Sequence, residues 1–262
     1  MKIKYGMPTL IEYNSIEDNI LLCKNLSLDF IEINMTMPYC YLENNSISKL
    51  NKLKDKYNIE YVMYFPQEID FGTNYPEIQK ANLSLFKRYL EFGTKIGIEK
   101  INIHLSSGPN ISLPNQTIWI YEQENKQYIM RLKNEVEKLV KTAYPYQIQV
   151  CVENPISSRF TKLVFFQLKD IEGLSFTYNV GSDAQGNFLL EPFFQQYSDK
   201  VKLMHLHDYD KENTNQVLFR GIINLYEKIE YAKKNDLSVV IKVKTVESLK
   251  RSVYNLKMRH LM

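Results

Sequence analysis

The chain has 262 residues, enough for one large hydrophobic core. Hydrophobic residues make up 44% and charged residues 24%, the ordinary balance of a globular protein, and a net charge of +3 is too small to argue for a nucleic-acid partner. No apolar run reaches the roughly 18 residues of a membrane span, and the three cysteines lack metal-binding spacing, so the expectation is a soluble, cytoplasmic protein with packed thiols at Cys23 and Cys151.

Strands and helices are predicted to alternate from end to end. The first strand covers Ile3–Met7, and Ser15-Ile16-Glu17-Asp18 opens a helix with the spacing of a capping box. Strands follow at Phe30–Asn34 and Tyr61–Phe65. A long amphipathic helix over Tyr75–Ile96 carries Leu83, Phe86 and Leu90 and is closed by Gly97. After the strand Lys100–His104 comes a long loop from Ser106 to Gln123, which holds Pro109, Pro114 and the single tryptophan, Trp119. Such a loop is a lid or wall of a site, or an excursion with Trp119 packed on a helix. A helix over Glu124–Ala143 and strands at Gln149–Glu153, Ser175–Asn179 and Lys202–His207 lead to a helix at Ile222–Lys234. The strand Ser238–Val243 and the helix Val246–Leu256 end the pattern.

Eight such alternations predict an α/β protein built as a single (β/α)8 TIM barrel, one domain over residues 1–262. An open nucleotide-binding sheet is disfavoured because no G-x-G-x-x-G follows any strand.

Side chains two apart share a face of a strand. One face carries Glu32 and Asn34, Asn102 and His104, Cys151 and Glu153, Thr177 and Asn179, Leu203, His205 and His207, and Val240 and Lys242. The other carries Ile101, Ile103, Val150, Val152, Val239, Ile241 and Val243. The apolar face suits outer helices. The polar face then looks into the barrel and ends at its C-terminal mouth, where barrel enzymes keep their sites.

The stretches Asn102-Ile-His-Leu-Ser-Ser-Gly108, Val150-Cys-Val-Glu-Asn-Pro155, Tyr178-Asn-Val-Gly-Ser-Asp-Ala184, Met204-His-Leu-His-Asp208 and Ile241-Lys-Val-Lys244 resemble, in order and context, the xylose-isomerase-like TIM barrels. That superfamily includes sugar phosphate isomerases/epimerases and AP endonuclease family 2. The resemblance implies a divalent metal held by a Glu of strand five, an Asp of strand six, a His of strand seven and a Glu of strand eight. Glu153 and His205 match the first and third of these, and would be the metal ligands if a metal is retained. His104 matches a common histidine of strand four.

The pattern breaks elsewhere. Asn179 stands at the Asp, Lys242 at the second Glu, Tyr64 at a strand-three His, and Ser182 and a position near Asn215 at two further histidines. An ammonium is no metal ligand, and it puts positive charge where the family has negative. The sequence therefore argues for a degenerate metal site and against the ordinary cation. Lys242 then has three readings: a structural ion pair with Glu153, an electrostatic or acid/base group in place of the metal, or a Schiff-base lysine.

The resemblance implies a sugar or sugar-phosphate isomerase/epimerase-like enzyme that moves a proton next to a carbonyl. Glu153 is the candidate base, and His205 or Lys242 would steady the enediolate. His104, Asn179, His207, Glu32, Tyr64 and Arg220 are candidate substrate-binding residues, and Asp208 is placed to orient an imidazole. The implied ligand is small, polar and carbohydrate-like, with homo-oligomers common among such barrels. The alternatives are a non-catalytic barrel that binds a small ligand or a partner and, less favoured, an abasic-site endonuclease.

Overall fold

A computed structural model describes residues 3–262. The strands Lys4–Pro8, Phe30–Asn34, Glu60–Tyr64, Lys100–His104, Gln149–Glu153, Ser175–Asn179, Val201–Leu206 and Ser238–Ile241 are here numbered one to eight. Each pairs in parallel with the next and the eighth with the first, closing a barrel. Helices connect them around the outside, as a parallel sheet buried on both faces requires.

The alternation along each strand sorts the core into two parts. Outward residues such as Ile31, Ile33, Ile103, Val152 and Ile241 join Phe86, Leu90, Leu132 and Val136 of the helices in one apolar cluster. Inward residues Phe30, Val62, Cys151, Leu203 and Val240 form a separate plug inside the barrel. The first strand makes room for it with Gly6, where a Cβ would run into the Phe30 ring. All three cysteines are buried free thiols.

Strands two, four, five and six have the predicted bounds, and the others shift by one or two residues. The eighth strand stops at Ile241: Lys242 N–H still makes the last ladder bond, to the Leu206 carbonyl, and Val243 N–H then turns back to Ile241. The helix expected from Ile222 starts at Leu225, capped by the Asn224 side chain. Ser15 caps the first helix as expected, but its hydroxyl also bonds the Asp18 carboxylate, so the reciprocal half of a capping box is replaced.

The segment read as a long loop after strand four is built differently. Asn110–Leu113 and Gln116–Trp119 form an antiparallel hairpin turned by Pro114-Asn115, followed by a helical turn at Ile120–Gln123. Gly108 begins it at φ +77°, where a Cβ would strike the Tyr121 ring. Tyr121 stacks on Tyr128 at 4.2 Å and donates its hydroxyl to Asp70, which pins the base of the hairpin to the barrel rim. Among the described residues no helix is long and apolar enough to cross a membrane.

Candidate active site

The plug defines the site above it. Two residues beyond Phe30, Val62, Cys151 and Leu203 on their own strands stand Glu32, Tyr64, Glu153 and His205, and Lys242 follows two residues after Val240, just past the end of strand eight. A two-residue period puts each pair on one face, so a polar tier sits directly on an apolar one. The register sets His104 beside Glu153, and Asn179 beside His205.

Glu153 is the hub, 1% exposed. Its Oε1 accepts from Asn179 Nδ2 at 2.6 Å and Lys242 Nζ at 3.1 Å, and lies 2.7 Å from His205 Nδ1. Its Oε2 accepts from the Tyr64 hydroxyl at 2.8 Å, with Lys242 Nζ at 3.4 Å. Burial pushes this carboxyl up, but Lys242 and His205 outweigh it and hold Glu153 well below the usual carboxylate range. The same surroundings raise the Tyr64 pKa, through burial first and the Glu153 charge second, so Tyr64 stays a donor.

His205 is fully buried, with Nε2 2.8 Å from Glu32 Oε1 and Nδ1 2.8 Å from Lys242 Nζ. Burial disfavours its charge and Lys242 opposes it, yet Glu32 and Glu153 prevail and raise its pKa. His205 Nδ1, Glu153 Oε1 and Lys242 Nζ thus form a triangle of mutual hydrogen-bond contacts in which a proton has three neighbouring homes. Lys242 Nζ also lies 4.1 Å from the centre of the Tyr64 ring.

His207 occupies the tier above. Asn215 N–H donates to its Nδ1 at 3.0 Å, so Nε2 carries the proton and donates to Asn179 Oδ1 at 3.0 Å. Burial pushes its pKa down to about 4, which keeps the ring neutral. Asn179 also caps the short helix after its strand by accepting from Ser182 N–H, and Asn154 clamps its backbone from both sides.

The structure therefore brings Glu153, His205, Lys242, Asn179, Glu32 and Tyr64 into one bonded set, with His207 above it. His104 stands at its edge. Its Nδ1 is 3.8 Å from Glu153 Oε2, too far for a hydrogen bond, and has no partner, while its side chain is 31% exposed. Lys242 is the other member open to the mouth, with a side-chain exposure of 21%.

Two candidates fall outside. Arg220 is exposed, and its backbone N–H, not its guanidinium, is used, donating to Asp208 Oδ2. The Asp208 carboxylate orients no imidazole. It gathers the N–H groups of Tyr209, Arg220, Gly221 and Ile223 and ties down the loop after strand seven. What the sequence reading left out is a cavity of about 450 Å³ beside the tier, lined by His104 and Ser182 on the site side and by Trp119, Ile156 and Phe160 beyond.

The four positions at which the resemblance places metal ligands do converge, but they do not suit a divalent cation. They supply one carboxylate, one imidazole, one amide and one ammonium. The amide turns its N–H to Glu153 and gives its oxygen to His207 and Ser182. The ammonium already rests on the carboxylate and imidazole that would bind a cation. Among the described residues no group of three or more His, Cys, Asp or Glu is arranged to hold a metal.

No protein-family model and no curated protein matches the chain. Solved structures do. A D-tagatose 3-epimerase-like protein superposes with a TM-score of 0.82 at 20% identity, covering 98% of this chain and 96% of that one. The 3-keto-D-glucoside 4-epimerase YcjR from E. coli gives 0.79 at 14% identity over 100% of both chains. The IolI protein with a binding zinc atom gives 0.77 at 14% identity over 99% of this chain and 98% of that one. At such identities the likeness is one of fold: the chain folds as the barrel that these sugar-epimerase and xylose-isomerase-like structures share.

Proposed function

We propose that this barrel acts on a sugar-like hydroxy-carbonyl compound and moves a proton next to the carbonyl without a divalent cation. One observation carries the reading: Lys242 places its ammonium against Glu153 and His205 while remaining one-fifth open to the mouth. A positive group held there by a buried carboxylate supplies fixed charge for an oxyanion.

The roles differ from those read in the sequence. Glu153 is a poor base, since its oxygens are already engaged and its carboxyl is held far below neutral pH. Lys242 hydrogen-bonds the substrate oxygen. His104, whose side chain is 31% exposed, takes the proton from the adjacent carbon on its Nε2, since Nδ1 is buried against Glu153, and the electron pair moves to the oxygen to give the enediolate. Return of that proton from His104 to the former carbonyl carbon, with the hydroxyl proton passing between the two enediol oxygens, completes an isomerisation. His205 and Glu32, behind Lys242, position the ammonium and accept or return its proton. The neighbours of this fold include epimerases named for D-psicose, L-ribulose and a 3-keto-D-glucoside, which supports the substrate class in its broad form.

Proton nuclear magnetic resonance in D2O tests this. A panel of ketoses and keto-glycosides is incubated with protein and excess chelator, and loss of the signal next to the carbonyl is followed. The expected result is exchange that survives chelator, vanishes in Lys242→Ala and falls about a hundredfold in His104→Ala. Exchange abolished by chelator overturns the metal-free reading. A second reading, binding without turnover, is favoured by the saturation of Glu153, and sugar binding with no exchange across the panel would select it.

A further inference from the structure

The cavity beside the tier is built unlike the tier. Its volume of about 450 Å³ lies within the ~300–1,000 Å³ of pockets that hold drug-sized molecules, more than a bare sugar needs. Its inner end is polar, with His104 and Ser182 leading to Glu153 and Asn179. Its far end is mainly apolar, with Trp119 from the hairpin, Phe160 from the helix after strand five and Ile156 from the loop between, and among the described residues Glu122 is the one carboxylate in the lining. Ile156 is 55% exposed although it stands in the wall of a concavity.

The hydroxyls nearby do not make that far end a sugar site. Ser158 and Thr161 bond each other's backbone in a reciprocal helix cap, and Ser106 accepts from Gly108 N–H. The aromatic wall is held in place before any ligand arrives. Trp119 lies two residues before Tyr121, whose stacking on Tyr128 and bond to Asp70 fix the hairpin base. Tyr128 in turn packs against Phe160, with ring centroids 5.5 Å apart.

From this pairing of a polar end at His104 with a preformed aromatic end at Trp119 and Phe160, we infer that the ligand carries an aromatic substituent on its sugar-like part, as an aryl glycoside does. The head group lies at the mouth by Lys242 and His104, and the ring lies against Trp119 and Phe160. The inference rests on the functional reading of the mouth for its polar half only. Aromatic surfaces favour flat rings in offset or edge contacts, and removing Ile156 and Trp119 from water adds to the gain.

Trp119 is the only tryptophan, so its emission reports this pocket alone. Phenyl keto-glycosides of several pyranoses are titrated against the matching methyl keto-glycosides and the free sugars, by fluorescence and by calorimetry. The expected result is a shift in Trp119 emission with the phenyl compounds and at least about tenfold tighter binding than for the methyl compounds. Phe160→Ala is expected to erase that advantage in both measurements. Trp119→Ala should erase it in calorimetry, and Trp119→Phe should keep most of it. Equal affinity of phenyl and methyl compounds overturns the inference, as does an advantage that survives both alanine variants. Lys242→Ala separates the two readings. If the phenyl advantage persists while no compound's affinity depends on Lys242, the aromatic pocket stands and the reading of the mouth falls. If free sugars bind as tightly as phenyl glycosides through Lys242, the mouth stands and the pocket falls. Failure of every compound to bind sinks both.

Discussion

The polar tier and the cavity beside it share a wall at His104 and differ in almost everything else. In the tier, opposite charges face one another at 2.7–3.4 Å, Glu153 and His205 are sealed from water, and each group is held by its neighbours. In the cavity, the His104 imidazole is about one-third exposed and a large aliphatic side chain stands half exposed. The tier has used its bonding capacity on itself, while the cavity has capacity left. Residues that look most catalytic in the sequence, Glu153 and His205, are in the first region, and the groups free to meet a ligand, Lys242 and His104, lie at the boundary. Chemistry belongs where a charged group is both held and reachable.

The comparison breaks most easily at Lys242. If the tier is a compensated charge cluster, Lys242→Ala leaves Glu153 buried without its main counter-charge and should cost about 3 kcal/mol in urea unfolding. The double variant Lys242→Ala with Glu153→Gln should recover a substantial part of that loss, because the stranded charge is gone. A single-variant cost below about 0.5 kcal/mol, the level of a solvated surface pair, would mean that the tier is not a coupled unit.

A test of similar size uses pH. His207 is buried and neutral, with its pKa lowered to about 4, so the unfolded chain binds the extra proton first as pH falls below the ordinary value of 6.5. Stability should therefore drop between pH 6.5 and 4, by about 3 kcal/mol from this group. Glu153 acts lower: its depressed pKa gives stability that is present above the ordinary carboxylate range and is lost only as pH falls through its own lower value. His205 acts higher, since its raised pKa gives stability that is complete below 6.5 and is lost as pH rises through the folded value. The stability–pH profile of the native chain minus that of His207→Gln should isolate the drop. A difference flat over that window would show that His207 is not held neutral.

The barrel and its inward polar face were legible because they depend on periodicity. Phe30 and Glu32, or Cys151 and Glu153, differ by two residues and so must share a face whatever the rest of the chain does. The partners of those residues were less legible. Nothing local to Asp208 says that its carboxylate collects N–H groups as far along as Ile223, and nothing near Arg220 says that only its backbone is used. The surroundings of Glu153 were hidden for the same reason: it reads as a lone strand-end acid until Tyr64, Asn179 and Lys242 arrive from other parts of the barrel. The hairpin was hidden by length and by prolines. The clue to it lay in Pro114-Asn115, a turn pair between Asn110–Leu113 and Gln116–Trp119. The aromatic cavity joins Trp119 to Phe160 across two elements, and no sequence spacing encodes that.

The smallest expected effect sharpens the cavity side. The aromatic wall counts as preformed only if the hairpin base is fixed. Tyr121→Phe removes the hydroxyl that bonds Asp70 and keeps the ring that stacks on Tyr128. The global cost should be about 1 kcal/mol, the net value of one hydrogen bond. The local effect should be clearer, with faster amide hydrogen exchange confined to residues 110–119 and little change in the strands beneath, because the hairpin makes its own small two-stranded sheet outside the barrel. Exchange unchanged in the hairpin would place its anchor in the Tyr121–Tyr128 stack alone. Exchange raised in the barrel strands as well would show that the wall and the tier unfold as one, and the contrast between a closed tier and an open, separately held cavity would fail.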